Sequence, residues 1–254
     1  MMVGDATAGG DLPDSDVPAG GDEADAGPVR FGGVIFDLDG VVADTEHLWD
    51  ASWAACSVAA GQPWGHADSE TLLGLSVPEW SAELARRNGD HSPEGAIRAA
   101  KFCIDYILSA IDDGRGELMD GGRELVEYAA ARGPIALATS SARPIIDHLL
   151  TRNGLAGMFS ATVSSAEVPR GKPSPDVYQE AARRSGLDTG PAIGIEDSSN
   201  GIRSAHAAGL YVIAIPNRQF PPAADVLALA DHVAPDHAAA LAQLKVLLPD
   251  TVSQ

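Results

Sequence analysis

Val34-Ile35-Phe36-Asp37-Leu38-Asp39-Gly40 is the stretch on which the reading of this chain turns. Three apolar residues run straight into alternating aspartates and a glycine, the pattern of a buried parallel strand ending in a functional loop. The form returns downstream. Pro134-Ile135-Ala136-Leu137-Ala138 runs into Thr139-Ser140-Ser141, and Ala192-Ile193-Gly194-Ile195 runs into Glu196-Asp197-Ser198. Tyr211-Val212-Ile213-Ala214-Ile215 stops at Pro216, and Ala161-Thr162-Val163 is a weaker member of the series. Helical patterns over 122–132, 142–153, 175–185 and 201–208 lie between the runs. Gly133, Gly154, Gly186 and Gly209 follow them as expected C-terminal caps. Strands alternating with helices predict an α/β protein, a Rossmann-like doubly wound parallel sheet.

The region 47–118 does not alternate. It reads as consecutive helices, best over 48–60, 77–88 and 93–111, with no strand signal of comparable strength. This predicts a small inserted all-helical cap domain at 47–118, over a catalytic core made of 31–46 and 119–254. Gly114-Arg115-Gly116 and Asp120-Gly121-Gly122 mark the return path. Residues 1–30 hold seven acidic residues against one basic, with six Gly, three Pro and no aromatic residue. Such a segment cannot bury enough apolar surface to offset its ordering entropy, so it is expected to be a disordered acidic tail.

Composition narrows the function. The chain of 254 residues has 17 Lys and Arg against 36 Asp and Glu, a formal charge of −19. That balance repels nucleic-acid backbones and anionic lipid, so neither is expected as a partner. A small anionic substrate remains open, because a local cation inverts the field at one site. Cys56 and Cys103 make neither a disulfide framework nor a zinc cluster and read as small residues inside cap helices. No apolar run approaches the roughly eighteen residues of a membrane span. The start, MMVGDATAGG, has neither a basic nor an apolar segment of signal-peptide type, and a cytoplasmic monomer or weak homo-oligomer is expected.

In an open α/β sheet, ligands bind beyond the carboxyl ends of the strands. Three apolar runs deliver polar residues there: Asp37 and Asp39, Thr139 with Ser140, and Glu196 and Asp197. A single Asp at a strand end is most often a helix cap. Four carboxylates converging from two strands repel one another unless a cation sits among them, and hard oxygen donors without His or Cys favour Mg²⁺ over zinc. Lys172, in Gly171-Lys172-Pro173-Ser174-Pro175-Asp176, lies in a loop pinned by two prolines. There it can pair with the acids or hold a phosphoryl oxygen. Thr139 and the amides after it can donate to the same group. A carboxylate nucleophile, a divalent cation, a lysine and hydroxyl or amide donors make a phosphoryl-transfer site.

These residues resemble those of a known family. Asp37-Leu38-Asp39-Gly40-Val41-Val42-Ala43-Asp44-Thr45-Glu46 is similar to the first motif of the haloacid-dehalogenase superfamily. Thr139, Lys172 and Gly194-Ile195-Glu196-Asp197-Ser198-Ser199-Asn200-Gly201 follow in that superfamily's order, so the resemblance covers roughly 32–220. It looks most like the branch of sugar phosphatases and β-phosphoglucomutases. The resemblance implies Asp37 as the nucleophile that becomes an aspartyl phosphate, and Asp39 as general acid and then base, with its backbone carbonyl toward the metal. It implies Thr139 as a donor to the transferring group and Lys172 as its charge balance. Mg²⁺ would be held by Asp37, Asp39 and Asp197, with Glu196 a direct or water-mediated partner.

The second aspartate bears on reaction class. Dehalogenases of the superfamily lack an acid there, because a halide leaves without a proton, so Asp39 argues for phosphate. No cap lysine can be assigned for phosphonoacetaldehyde hydrolysis, and the spans of P-type pumps are absent. In Asp44-Thr45-Glu46-His47-Leu48-Trp49-Asp50, Glu46 and Trp49 are expected at the leaving group, with Ser140 and Ser141 as further substrate-binding residues; cap-core packing is the competing role for Trp49. β-Phosphoglucomutases usually carry a His near Trp49 and a basic residue just after the cap Gly-x-Ser. Here the chain has Gly74-Leu75-Ser76-Val77. Arg98 and Lys101 read as a solvated face. The expected function is a Mg²⁺-dependent phosphatase acting on a small phosphorylated sugar, polyol or cyclitol. A phosphosugar mutase, a phosphoglycolate-type phosphatase and a non-catalytic binding module are the alternatives.

Overall fold

The computed structural model describes Met1, residues 30–187 and residues 189–249. The expected acidic tail therefore lies almost wholly outside the described residues. Six parallel strands form one sheet in the order β3-β2-β1-β4-β5-β6. They are β1 (Gly33–Phe36), β2 (Ile135–Thr139), β3 (Ala161–Ser164), β4 (Ala192–Glu196), β5 (Tyr211–Ala214) and β6 (His232–Val233). The chain starts in the middle of the sheet, winds outward through β2 and β3, then crosses β1 and winds the other way. That reversal leaves a crevice at the carboxyl ends of β1 and β4.

The continuous apolar runs follow from this position. Val34, Ile35 and Phe36 are fully buried because β1 has a strand on each side and helices on both faces. Alternation sends Val34 and Phe36 into one core with Leu125, Ile145 and Leu244, and Ile35 into the other with Val177, Tyr178 and Ile202. The first face is covered by α5 (Gly122–Ala130), α6 (Arg143–Arg152) and α10 (His237–Leu247). The second is covered by α7 (Asp176–Ser185), α8 (Ser199–Ala207) and α9 (Ala224–Leu227).

Sequence pattern missed β6, α9 and α10. β6 has two residues, too few for any period, and α10 is so rich in Ala and Leu that its buried stripe does not stand out. Its start was nonetheless marked, since the Asp236 side chain accepts from Ala239 N at 2.8 Å. Gly154, Gly186 and Gly209 adopt positive φ, as C-terminal caps do. Gly133 does not: a Cβ there would meet the Gly32 carbonyl oxygen at 2.9 Å, so close backbone approach is its requirement.

Between β1 and α5 the chain forms α1 (Glu46–Ala59), α2 (His66–Glu70), α3 (Val77–Arg87) and α4 (Pro93–Asp112). Helix α2 is short and was not expected. Ser76 and Glu79 form a capping box at α3, and Ser92 Oγ accepts from Gly95 N at α4. Trp53, Trp80, Leu84, Cys103 and Ile107 are buried among these helices. Cys56 is only half-buried, so one of the two cysteines is less of a core residue than expected. The insert leaves and returns side by side: Asp44 N donates to Glu117 O at 2.9 Å, and Met119 N to Val42 O at 3.0 Å. Among the described residues, no helix is long and apolar enough to cross a membrane.

Candidate active site

Asp37 follows β1 directly, Glu196 closes β4 and Asp197 comes next. At the crevice between those strands their carboxylates meet, with oxygens within 4.8 Å of one another. All three are buried. Lys172, 3 % exposed, reaches in from the loop before α7 and donates to Asp37 Oδ1 at 2.9 Å and to Glu196 Oε1. The Tyr178 hydroxyl donates to the same Glu196 oxygen at 2.7 Å. Glu196 Oε2 accepts from Asp197 N and from the Ser198 hydroxyl.

Charge is unbalanced here. Burial, then the Glu196 charge, pushes the Asp37 carboxyl up to about 8 despite Lys172. Burial, then the Glu46 and Glu196 charges, holds Asp197 well above the usual carboxylate range. Burial works against the Lys172 ammonium, but Asp37 and Glu196 outweigh it and its pKa rises. Three buried carboxylates face one buried cation, and their donors are all hard oxygens. The set fits a further hard divalent cation such as Mg²⁺.

Two glycines are dictated by this cluster. Gly40 has φ of 78°, and a Cβ there would lie 2.1 Å from Asp197 Oδ2. At Gly201, in the first turn of α8, a Cβ would lie 1.9 Å from the Glu196 carboxyl carbon. Gly201→Ala is therefore expected to displace Glu196 from Lys172 and Tyr178 and to lower stability by about 1–3 kcal/mol. Urea unfolding measures it, and an unchanged midpoint would contradict the packing described.

Asp39 sits apart from the carboxylate cluster. Its Oδ1 accepts from the Thr45 hydroxyl and from Trp49 Nε1 at 3.1 Å. Its Oδ2 accepts from Thr139 Oγ1 at 3.3 Å and from Ser141 Oγ at 2.8 Å. The second aspartate is thus aimed by α1 on one side and by the β2 end on the other. Trp49 serves both roles weighed for it: its ring packs against Trp53 and Trp80, while its N–H orients Asp39. Ser140 Oγ donates instead to the Gly74 carbonyl oxygen, at 3.2 Å.

These groups line a partly open cavity of about 60 Å³ whose walls include Asp37, Asp39, Glu46, Trp49, Ser140, Ser141, Lys172 and Asp197. Thr139 and Glu196 stand immediately behind it, through Asp39 and Lys172. Arg98 and Lys101 are exposed and paired with Asp90 and Asp105, as a solvated face. Several residues escaped sequence reasoning. Asn217, beyond β5, donates to Asp197 Oδ2 at 2.9 Å and to Glu46. Burial pushes the Glu46 carboxyl up to about 7, against the Asn217 hydrogen bond. Asn217 follows an apolar strand by three residues, the same signal that marked the other strand ends. Thr45, Tyr178, Trp53 and Trp80 carried no such signal.

A family model described as haloacid dehalogenase-like hydrolase matches residues 31–209. Protein CbbY of Rhodobacter capsulatus is 33% identical over 224 residues, which cover 85% of this chain and 98% of that protein. Hexitol phosphatase B of Escherichia coli K12 is 29% identical over 195 residues, 74% of this chain and 85% of that protein. Among solved structures, CbbY from Rhodobacter sphaeroides in complex with phosphate superposes with a TM-score of 0.74 at 26% identity, covering 82% of this chain and 96% of that one.

Proposed function

The chain belongs to the haloacid dehalogenase-like hydrolases, and from that membership we propose that it is a Mg²⁺-dependent phosphatase of a small phosphorylated sugar, polyol or cyclitol, working through an aspartyl phosphate. The observation that carries this reading is the pairing of two differently held aspartates. Asp37 stands beside Lys172 in a charge-hungry cluster, and Asp39 is held apart by four donors in the same cavity. Phosphatase names among the relatives agree with it.

Asp37 would attack phosphorus while the bond to the leaving oxygen breaks and Asp39 gives that oxygen its proton. Water would then attack the aspartyl phosphate and lose a proton to Asp39. Phosphate departs, and both carboxyl groups return to their starting states. Lys172 balances charge on Asp37 and the phosphoryl oxygens, and the Thr139 hydroxyl would turn its one proton from Asp39 to the same group. Asp37, Glu196 and Asp197 would hold Mg²⁺, with the Asp39 backbone carbonyl as the further ligand that the family resemblance implies. The chemistry the ion supplies when bound is neutralisation of negative charge on nucleophile and phosphate.

Residues 47–118 act in this reading as the cap. Cap and core touch at the catalytic cavity through the Trp49–Asp39 and Ser140–Gly74 hydrogen bonds, so the cap shapes the space around the leaving group. Phosphate release from a panel of sugar, polyol and cyclitol phosphates tests the reading. Activity is expected with Mg²⁺ and is expected to fall to background with chelator. Equal rates in both, or isomerised sugar without free phosphate, would overturn it.

A further inference from the structure

Tyr178 touches both signs of charge in the carboxylate cluster. Its side chain is fully buried, in the apolar stripe of α7 beside Val177 and Ala181. The hydroxyl donates at 2.7 Å to Glu196 Oε1, the oxygen that Lys172 also engages. The ring meets the same lysine, with the Lys172 ammonium 5.1 Å from its centroid. Burial, then the Glu196 and Asp37 charges, holds the phenol well above its ordinary pKa, so the hydroxyl keeps its proton and donates it. Tyr178 stands behind the wall of the catalytic cavity, so any part it takes in the reaction passes through its neighbours. One short segment sets both partners, because Pro173-Ser174-Pro175 and the first turn of α7 join Lys172 to Tyr178.

Two buried carboxylates share one ammonium here, since Asp37 Oδ1 and Glu196 Oε1 both accept from Lys172. The pull of each on the lysine falls as other donors satisfy it. Glu196 Oε2 is met by Asp197 N at 3.1 Å and by the Ser198 hydroxyl at 3.2 Å. At Oε1 the Tyr178 hydroxyl does the same work beside Lys172. Without that hydroxyl, Lys172 is the donor left to a buried anionic oxygen, and it moves toward Glu196 at the expense of Asp37. Building on the phosphatase reading, we propose that Tyr178 is a positioning residue for phosphoryl transfer: by satisfying Glu196 Oε1 it leaves the Lys172 ammonium to serve Asp37 and the phosphoryl oxygens. Its ring supports the same placement, because an aromatic face attracts the ammonium without taking any of its protons.

Tyr178→Phe keeps the ring and removes the hydroxyl. With Mg²⁺ and the best substrate of the phosphate panel, kcat is expected to fall about tenfold while KM stays within about twofold of the wild type. A tyrosine that only supports the fold would lower the urea midpoint and leave kcat alone. Lys172→Met supplies the second arm. With no ammonium to place, adding Tyr178→Phe to it is expected to lower kcat by less than about a further twofold. A tyrosine acting independently of Lys172 would instead multiply its own loss onto that of Lys172→Met. Unchanged kcat in Tyr178→Phe, a change confined to KM, or multiplied losses in the double variant overturns the positioning role and leaves the phosphatase standing. Absence of phosphate release by the wild type across the whole panel overturns the phosphatase reading, and the role of Tyr178 falls with it.

Discussion

Asp37→Asn is expected to lower phosphate release by at least about 10⁴-fold, with no loss of folded stability. An amide cannot take the phosphoryl group, and no other described carboxylate has the same setting. Asp39 is turned toward Thr45, Trp49, Thr139 and Ser141 and away from Lys172, and Glu196 is held by Lys172, Tyr178 and Ser198. The fold should not suffer, because Asn keeps the shape and removes a carboxyl that burial and Glu196 already push up to about 8. Lys172 keeps Glu196 as its partner. Rapid-quench kinetics with intact-mass detection checks both halves: the wild type accumulates a phosphoryl group on Asp37 and the variant does not. A phosphorylated, active Asp37→Asn protein would remove Asp37 from the nucleophile's place.

Lys172→Met is expected to cost both stability and rate. Methionine keeps the length of the side chain and removes the charge that separates Asp37 from Glu196. Breaking a buried ion pair by deleting one partner costs about 3–5 kcal/mol, because the remaining charge stays buried. Here the loss should fall near the lower end, since Asp37 escapes by binding a proton and its pKa rises further above about 8. The same protonation takes away the nucleophile, and a fall in kcat of about 10²–10³-fold follows from losing the charge balance as well. Urea unfolding and phosphate release are the two measurements. A variant as stable and as fast as the wild type would show that Lys172 does not balance this cluster.

The strand ends were readable because each is a run of apolar residues broken by a polar one. Parallel strands buried on both faces leave that pattern whatever surrounds them. Thus Asp37, Thr139, Glu196 and Asp197 could be placed at one edge before any coordinates, and Lys172 followed from its loop. Asn217 obeys the same rule beyond β5 and was overlooked behind Pro216. Tyr178 could not be found this way. It lies in the apolar stripe of α7 with Val177 and Ala181, and its side chain is wholly buried like theirs. That its hydroxyl reaches Glu196 depends on how α7 seats on the sheet.

Sequence by itself determined the doubly wound sheet, the helical insert after the first strand, and the list of acids at one edge, since period and order along the chain suffice for these. Tertiary structure alone decided how those acids divide. Asp37 and Asp39 are two residues apart, yet Asp37 joins Glu196 and Asp197 while Asp39 turns to Thr45 and Trp49. The reason is local and long-range at once: β1 ends at Phe36, so strand alternation no longer ties Asp37 to Asp39, and donors from the start of α1 and from the β2 end capture the Asp39 carboxylate. The lining around the site was settled in the same way. Glu46, Trp53, Gly74 and Asn217 meet only because the insert folds back onto the loops beyond β4 and β5.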